Sequence, residues 1–219
     1  MKTGTFIAII AILFVSLEPA AAQTRGVTPE DYFAFKSLND VRISPDGSTI
    51  AYVVGTIDQK QNRRYNAIWT VAADGSHEPL LLTTSVQSST NPRWSPDGRA
   101  IAFLSSRLAP GDPAGETTRN QIWVLSLAGG EPRRVTALQN GVTNFVWSPD
   151  GSRFVCISAT GPSDKAKSPS DVRHYKHANY KFNDTGWFDD KRSHLWVIDV
   201  ASGTAKQLTS GDDWNDTDP

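Results

Sequence analysis

The chain has 219 residues, with 22 lysines and arginines against 23 aspartates and glutamates, a formal net charge of −1. That balance excludes a general nucleic-acid binder and a protein held on anionic membranes by charge. Hydrophobic residues at 38%, among them seven tryptophans, five tyrosines and nine phenylalanines, are enough for a folded core and exclude global disorder.

The amino-terminal stretch reads as an export signal. Met1-Lys2 gives a positive start, and Phe6 to Leu17 is an apolar run of 12, short of the about 20 residues that span a bilayer. Ala20-Ala21-Ala22 supplies the small residues a signal peptidase accepts. Residues 1–22 are therefore expected to be a signal peptide, with a mature start at Gln23. No cysteine lies near that site, so neither lipidation nor a stable membrane anchor is expected after cleavage. The expected location is exported, periplasmic or secreted.

Residues 23–39 read as a lead-in. Thr28-Pro29-Glu30-Asp31 combines an N-cap, a proline at the first helical position and early acids. Tyr32, Phe33, Phe35 and Leu38 then give a short helix an apolar side, expected to pack on the β-rich remainder of the chain.

From residue 40 onward the chain repeats itself. Ser-Pro-Asp-Gly occurs at 44–47, 95–98 and 148–151, with its serines 51 and 53 residues apart. Trp94 and Trp147 immediately precede the second and third copies. Six residues after each serine stand Ile50, Ile101 and Phe154, and two further on Tyr52, Phe103 and Cys156. The runs Ile68-Trp69-Thr70-Val71, Ile122-Trp123-Val124-Leu125 and Leu195-Trp196-Val197-Ile198 have strand patterning. Each passes through a glycine turn to a last strand ending at Thr83, Thr136 or Thr209.

Each unit reads as a four-stranded antiparallel meander, and units of about 50 residues in register read as propeller blades. The expected fold is all-β: an incomplete β-propeller within 40–219, preceded by a short helix. Its blades are expected at about 40–84, 91–137 and 143–210, with the start of a fourth at 218–219. A β-sandwich, the competing fold, would not require such register between sequential units. Three blades do not close a ring of four to eight, so self-association through open edges is expected of the isolated chain.

The turns carry a ring of carboxylates, Asp46, Asp97 and Asp150. Proline presets φ at the second turn position, aspartate bonds its own backbone and glycine takes the positive-φ site, so these aspartates are assigned to the scaffold. Cys156, the single cysteine, allows no intramolecular disulfide. Its neighbours Phe154, Val155 and Ile157 mark it as a small buried hydrophobe rather than a reactive thiol.

The repeats differ in the loop between their second and third strands, on the face opposite the Ser-Pro-Asp-Gly turns. From turn serine to strand tryptophan the distances are 25, 28 and 48 residues, which places an insertion within 160–192 of the third unit. That face is the expected partner or substrate side. The insertion is aromatic and basic, with Tyr175, Lys176, Tyr180, Trp187 and Phe188, and its aromatics are expected to cover an interface. His174 and His177 lack further ligands at a zinc spacing, and Asp171, Asp184, Asp189 and Asp190 offset the basic charge, so neither a metal site nor nucleic-acid binding is assigned. Asn183-Asp184-Thr185 and Asn215-Asp216-Thr217 match the glycosylation acceptor, which matters only in a eukaryotic secretory pathway.

The Trp-Ser-Pro-Asp-Gly, Ile-Ala-Phe and Ile-Trp-Val landmarks resemble the propeller repeats of TolB-like periplasmic proteins and of the prolyl oligopeptidase family of serine peptidases. Segment order favours the second. Thr28-Pro-Glu-Asp-Tyr leading through Val41-Arg-Ile-Ser-Pro-Asp-Gly to Ile50-Ala-Tyr resembles the start of exported dipeptidyl aminopeptidase and acylaminoacyl-peptidase-like enzymes. Tyr180-Lys-Phe-Asn-Asp-Thr-Gly-Trp and Lys191-Arg-Ser-His-Leu-Trp-Val-Ile-Asp resemble that family's third blade.

The resemblance implies a propeller that caps an α/β-hydrolase domain, restricts entry to short peptides and contacts the substrate. That hydrolase domain would carry the Ser-Asp-His triad, with its serine in Gly-x-Ser-x-Gly. No such motif occurs in this chain; Gly161-Pro162-Ser163 comes nearest, with Lys165 in place of the second glycine. No catalytic, cofactor-binding or metal residue is therefore assigned, and the chain alone is expected to be inactive. The expected partner is a peptide substrate, reached through the catalytic domain. A TolB-like protein-binding propeller, or a propeller attached to another exported hydrolase, remains the alternative.

Overall fold

The computed structural model describes residues 25–84, 86–113, 119–161, 164, 181–182, 186–187 and 191–219. The signal segment 1–22 and the insertion residues His174, Tyr175, His177 and Phe188 lie outside the described residues.

The lead-in is a 3-10 helix, Pro29–Ala34. Thr28 N–H donates to the Asp31 carboxylate at 2.8 Å, and Arg25 pairs with the same carboxylate. A single six-residue turn of this kind presents little apolar surface. Tyr32 and Phe35 stay 54% and 60% exposed, and the helix meets the first sheet on its second strand. Leu38 belongs to the first strand rather than to the helix, because the chain is already extended from Ser37.

Three four-stranded antiparallel meanders come after it. The first blade is β1 (Ser37–Ile43), β2 (Thr49–Asp58), β3 (Arg63–Ala72) and β4 (Leu80–Leu81). The second is β5 (Ser89–Trp94), β6 (Ala100–Ser105), β7 (Gln121–Ser126) and β8 (Arg133–Arg134). The third is β9 (Asn144–Trp147), β10 (Arg153–Thr160), β13 (Arg192–Asp199) and β14 (Ala205–Gln207). Within the insertion, β11 (Lys181–Phe182) pairs with β12 (Gly186–Trp187) as a separate hairpin. The architecture is an incomplete β-propeller of three blades.

The core lies between blades. Val53 and Ile68 of the first blade pack against Phe103, Trp123 and Leu125 of the second. The opposite face of the second blade, with Ala102, Leu104 and Ile122, packs on Phe145, Phe154, Cys156 and Ile198 of the third. The middle blade is thus covered on both sides, and β6 is buried at every position from Ile101 to Ser105. Phe145 and Phe154 meet edge to face with centroids 5.3 Å apart; truncating either would cost about 3–5 kcal/mol.

Register explains Cys156. It lies across from Trp196 on one side and Phe145 on the other. In the second blade the slots of Phe145 and Cys156 hold Pro92 and Phe103. A large residue on the inner strand accompanies a small one on its neighbour, and the exchange keeps the packed volume. Cys156 is fully buried, and burial pushes its thiol pKa up to about 12.

Each Ser-Pro-Asp-Gly turn is built alike. The serine hydroxyls of Ser44, Ser95 and Ser148 donate to the second-following aspartate at 2.5, 2.6 and 2.5 Å. The same oxygens accept the N–H of Thr49, Ala100 and Arg153, each at 2.9 Å. Gly47, Gly98 and Gly151 have φ of 75°, 70° and 71°, which a side chain would disfavour.

The terminal threonines have an equally local cause. Just past each outer strand, Leu82, Val135 and Leu208 donate to the carbonyls of Ile68, Ile122 and Leu195, and the threonine hydroxyl takes the matching N–H. Ile68, Ile122 and Leu195 donate their N–H to the Oγ1 of Thr83, Thr136 and Thr209 at 3.0, 2.9 and 2.9 Å.

Candidate functional site

Two regions combine polar chemistry with a fixed frame: the face carrying the loops between second and third strands, and the line where the inner strands meet. The turn aspartates lie on the opposite face and have no role in either. Hydrogen bonds from the turn serines, backbone N–H donors and further hydroxyls hold the Asp46 and Asp150 carboxyls down to about 2. The Ser95 hydroxyl and the Arg99 N–H lower Asp97 as well.

On the loop face, the base of the third-blade insertion is fastened by a polar cluster. Asn140 donates through Nδ2 to Asp164 at 2.8 Å and to the Ala159 carbonyl at 2.9 Å. Lys191 Nζ reaches Asn140 Oδ1 at 2.8 Å and Asp164 Oδ1 at 3.2 Å. Burial works against the Asp164 carboxylate, but bonds from Asn140, Gly161 and Lys191 outweigh it and lower its pKa. The cluster joins the insertion's entry to its exit, so both ends of the segment emerge from one fixed point.

Arg107 stands on the same face, after the second strand of the second blade. Its guanidinium carbon lies 5.0 Å from the Phe103 ring centroid and 5.4 Å from that of Trp123. Its nitrogens donate to Ser105 Oγ at 3.1 Å and Ser89 Oγ at 2.7 Å. Burial pulls its pKa down, with the Glu131 charge opposing. This arrangement immobilises a cation at the boundary of two blades. The first-blade loop shapes an open groove of about 370 Å³ lined by Thr56, Ile57, Asp58, Gln61, Tyr65 and Val86.

Between blades, the inner strands β1, β5 and β9 touch in sequence. Arg93 reaches back to Asp40 at 3.0 Å, and Asn91 Nδ2 donates to Asn144 Oδ1 at 3.2 Å. Asp40, Asn91 and Asn144 each stand four residues before a turn serine. Asp40 and Asn91 adopt φ of 44° and 56° at register shifts in β1 and β5, a conformation that short polar residues tolerate. The only sequence signal of this repeat position is its Asp/Asn/Asn composition. Gln121, whose amide joins Thr136 to Leu138, and His194, which fills the same slot in the third blade at 2% exposed, carry no shared residue type that marks the slot. Among the described residues, no group of three or more His, Cys, Asp or Glu is placed to hold a metal.

No family model matches the chain. Relatives do. It is 33% identical over 192 residues to the uncharacterized peptidase YuxL of Bacillus subtilis, covering 84% of this chain and 28% of that protein. It is 30% identical over 137 residues to dipeptidyl-peptidase 5 of Porphyromonas gingivalis, covering 62% of this chain and 19% of that one. An acylaminoacyl peptidase solved with Z-Gly-Gly-Phe-chloromethyl ketone shares the fold at a TM-score of 0.64 and 23% identity, over 81% of this chain and 26% of that one. The chain is a propeller portion of the prolyl oligopeptidase family. It spans 19% to 28% of the length of these family members. A Tol-Pal system protein TolB from Methylococcus capsulatus is 36% identical over a shorter stretch of 87 residues, 40% of this chain and 18% of that one.

Proposed function

We propose that the chain is the propeller of an exported serine peptidase that releases short units from the amino ends of peptides. In this reading its loop face covers an α/β-hydrolase site and admits only short, flexible chains. The observation that carries the reading is the peptidase relative aligned over 84% of the chain and only 28% of its own length, which leaves most of that protein for other domains. The fixed insertion base, Arg107 and the groove beside Tyr65 all lie on the face that would meet such a domain. Residues 1–22 act as the export signal, residues 23–39 lead in, and the blades at about 40–84, 91–137 and 143–210 form the cover.

The test begins with the coding sequence downstream of codon 219. A Gly-x-Ser-x-Gly segment followed by aspartate and histidine is expected. The complete product should hydrolyse dipeptidyl- or acylaminoacyl-nitroanilides while sparing casein, and the 219-residue chain alone should turn over neither. Hydrolysis by that chain alone, or a complete product without the serine motif, would refute the peptidase reading. The second outcome would favour a protein-binding propeller, the reading that the TolB relative supports.

A further inference from the structure

Both inter-blade boundaries are closed by one and the same bond. The Trp94 indole donates to the Arg42 carbonyl at 3.0 Å, and the Trp147 indole donates to the Arg93 carbonyl at 3.1 Å. Each acceptor sits one residue before the position that precedes its own Ser-Pro-Asp-Gly turn. A blade that has donated its indole therefore presents, one residue upstream, the carbonyl that receives the next indole. The turns nest in the same direction. A Cβ on Gly98 would lie 3.7 Å from the Pro45 ring, and one on Gly151 3.5 Å from the Pro96 ring.

The rule extends to the third blade. Arg42, Arg93 and Val146 hold the same register, across from Ala51, Ala102 and Val155. Val146 is 36% exposed. Around it, Val155 and Leu195 are half-buried, whereas their counterparts Ala102 and Ile122 in the second blade are sealed at 0%. At the other end, the first blade carries Ile43 where the later blades carry tryptophan, and Ile43 is 62% exposed. It offers an acceptor to the blade after it and no donor to a blade before it.

We propose that the outer face of the third blade, centred on the Val146 carbonyl, is a docking surface for one kind of partner: a four-stranded blade of this repeat with tryptophan directly before its Ser-Pro-Asp-Gly turn. The proposal rests on the reading of the chain as part of a larger propeller. Its occupant is set by continuity with the two boundaries already formed, which use the same indole, the same facing positions and the same nesting of turns. A second copy of this chain presents Ile43 there, so it covers apolar surface without supplying the donor.

Substitution at position 43 turns that deficiency into a test. Ile43→Trp gives a second copy the missing donor, and Ile43→Phe gives a ring without one. Sedimentation equilibrium of the purified 219-residue chain and both variants reads their self-association. The tryptophan variant is expected to associate about fivefold more tightly than the phenylalanine variant, the factor that roughly 1 kcal/mol represents. Equal association of the two variants would overturn the docking rule while leaving the larger-propeller reading intact. Monomers throughout would likewise overturn the docking rule, whereas a complete coding sequence that adds no further blade would overturn the larger-propeller reading. Trp147→Phe checks the clasp inside the chain: a lowered melting temperature is expected, and an unchanged one would refute it.

Discussion

Thr136→Val isolates the threonine clamp with almost no change in shape. Thr136 is 2% exposed, and its Oγ1 accepts the Ile122 N–H at 2.9 Å while donating to Gln121 Oε1 at 2.7 Å. Ile122 is fully buried, so no water replaces the lost acceptor. A buried N–H left without a partner costs about 1–3 kcal/mol. Gln121 Oε1 keeps its bond from the Leu138 N–H, so the amide side adds little. A loss of about 2 kcal/mol lowers the melting temperature by about 4–8 °C in a domain of this size. Circular-dichroism melting gives the shift, and hydrogen exchange at the Ile122 amide gives its location. Thr136→Ser keeps the hydroxyl and should recover most of the loss. Thr83→Val removes only the single bond to Ile68 and should fall short of Thr136→Val. If Thr136→Val melts with the parent, or Thr136→Ser is equally damaging, the clamp is not what holds the third strand.

Two further outcomes concern the turns and the core. Asp46 and Asp150 titrate at about 2 in the folded chain, and Asp97 is lowered in the same way, below the ordinary carboxylate value of about 3.9. Their contribution to stability is present above that ordinary value and is lost as pH falls through the folded one. Melting temperature should therefore drop between about pH 4 and pH 2, and a chain with all three changed to asparagine should show a shallower drop. A steeper drop in that variant would contradict the turn assignment. Cys156, fully buried with its pKa near 12, should resist iodoacetamide at pH 8 in the folded chain and react once the chain is unfolded. Rapid labelling of the folded chain would place it outside the core.

Much of the fold was legible because a repeat states each rule three times. The turn serine, proline, aspartate and glycine, the strand tryptophans and the closing threonines recur in one order, and each answers a local need of the backbone. The inner ladder was harder to read. Asp40, Asn91 and Asn144 share a position but not a charge, and their partners lie in neighbouring blades about fifty residues away. The lead-in sequence reads as a helix with an apolar side; its six residues form a 3-10 turn that leaves Tyr32 and Phe35 outside. Loop lengths pointed to the loop face, but Arg107 gave no repeating signal, since its slot holds Thr56 and Thr160 in the other blades. Its environment, two aromatic faces and two serine hydroxyls, is assembled from β5, β6 and β7 and exists only in three dimensions.

The direction of the indole bonds also bears on synthesis. In each, the donor comes later in the chain than its acceptor: Arg42 precedes Trp94, and Arg93 precedes Trp147. A ribosome making roughly 5–20 residues per second takes about 3–10 s to deliver roughly fifty residues. Each new blade thus meets a completed acceptor already outside the ribosome. The molecule can be laid down from its amino end, and no blade must wait with an unfilled indole for one not yet made.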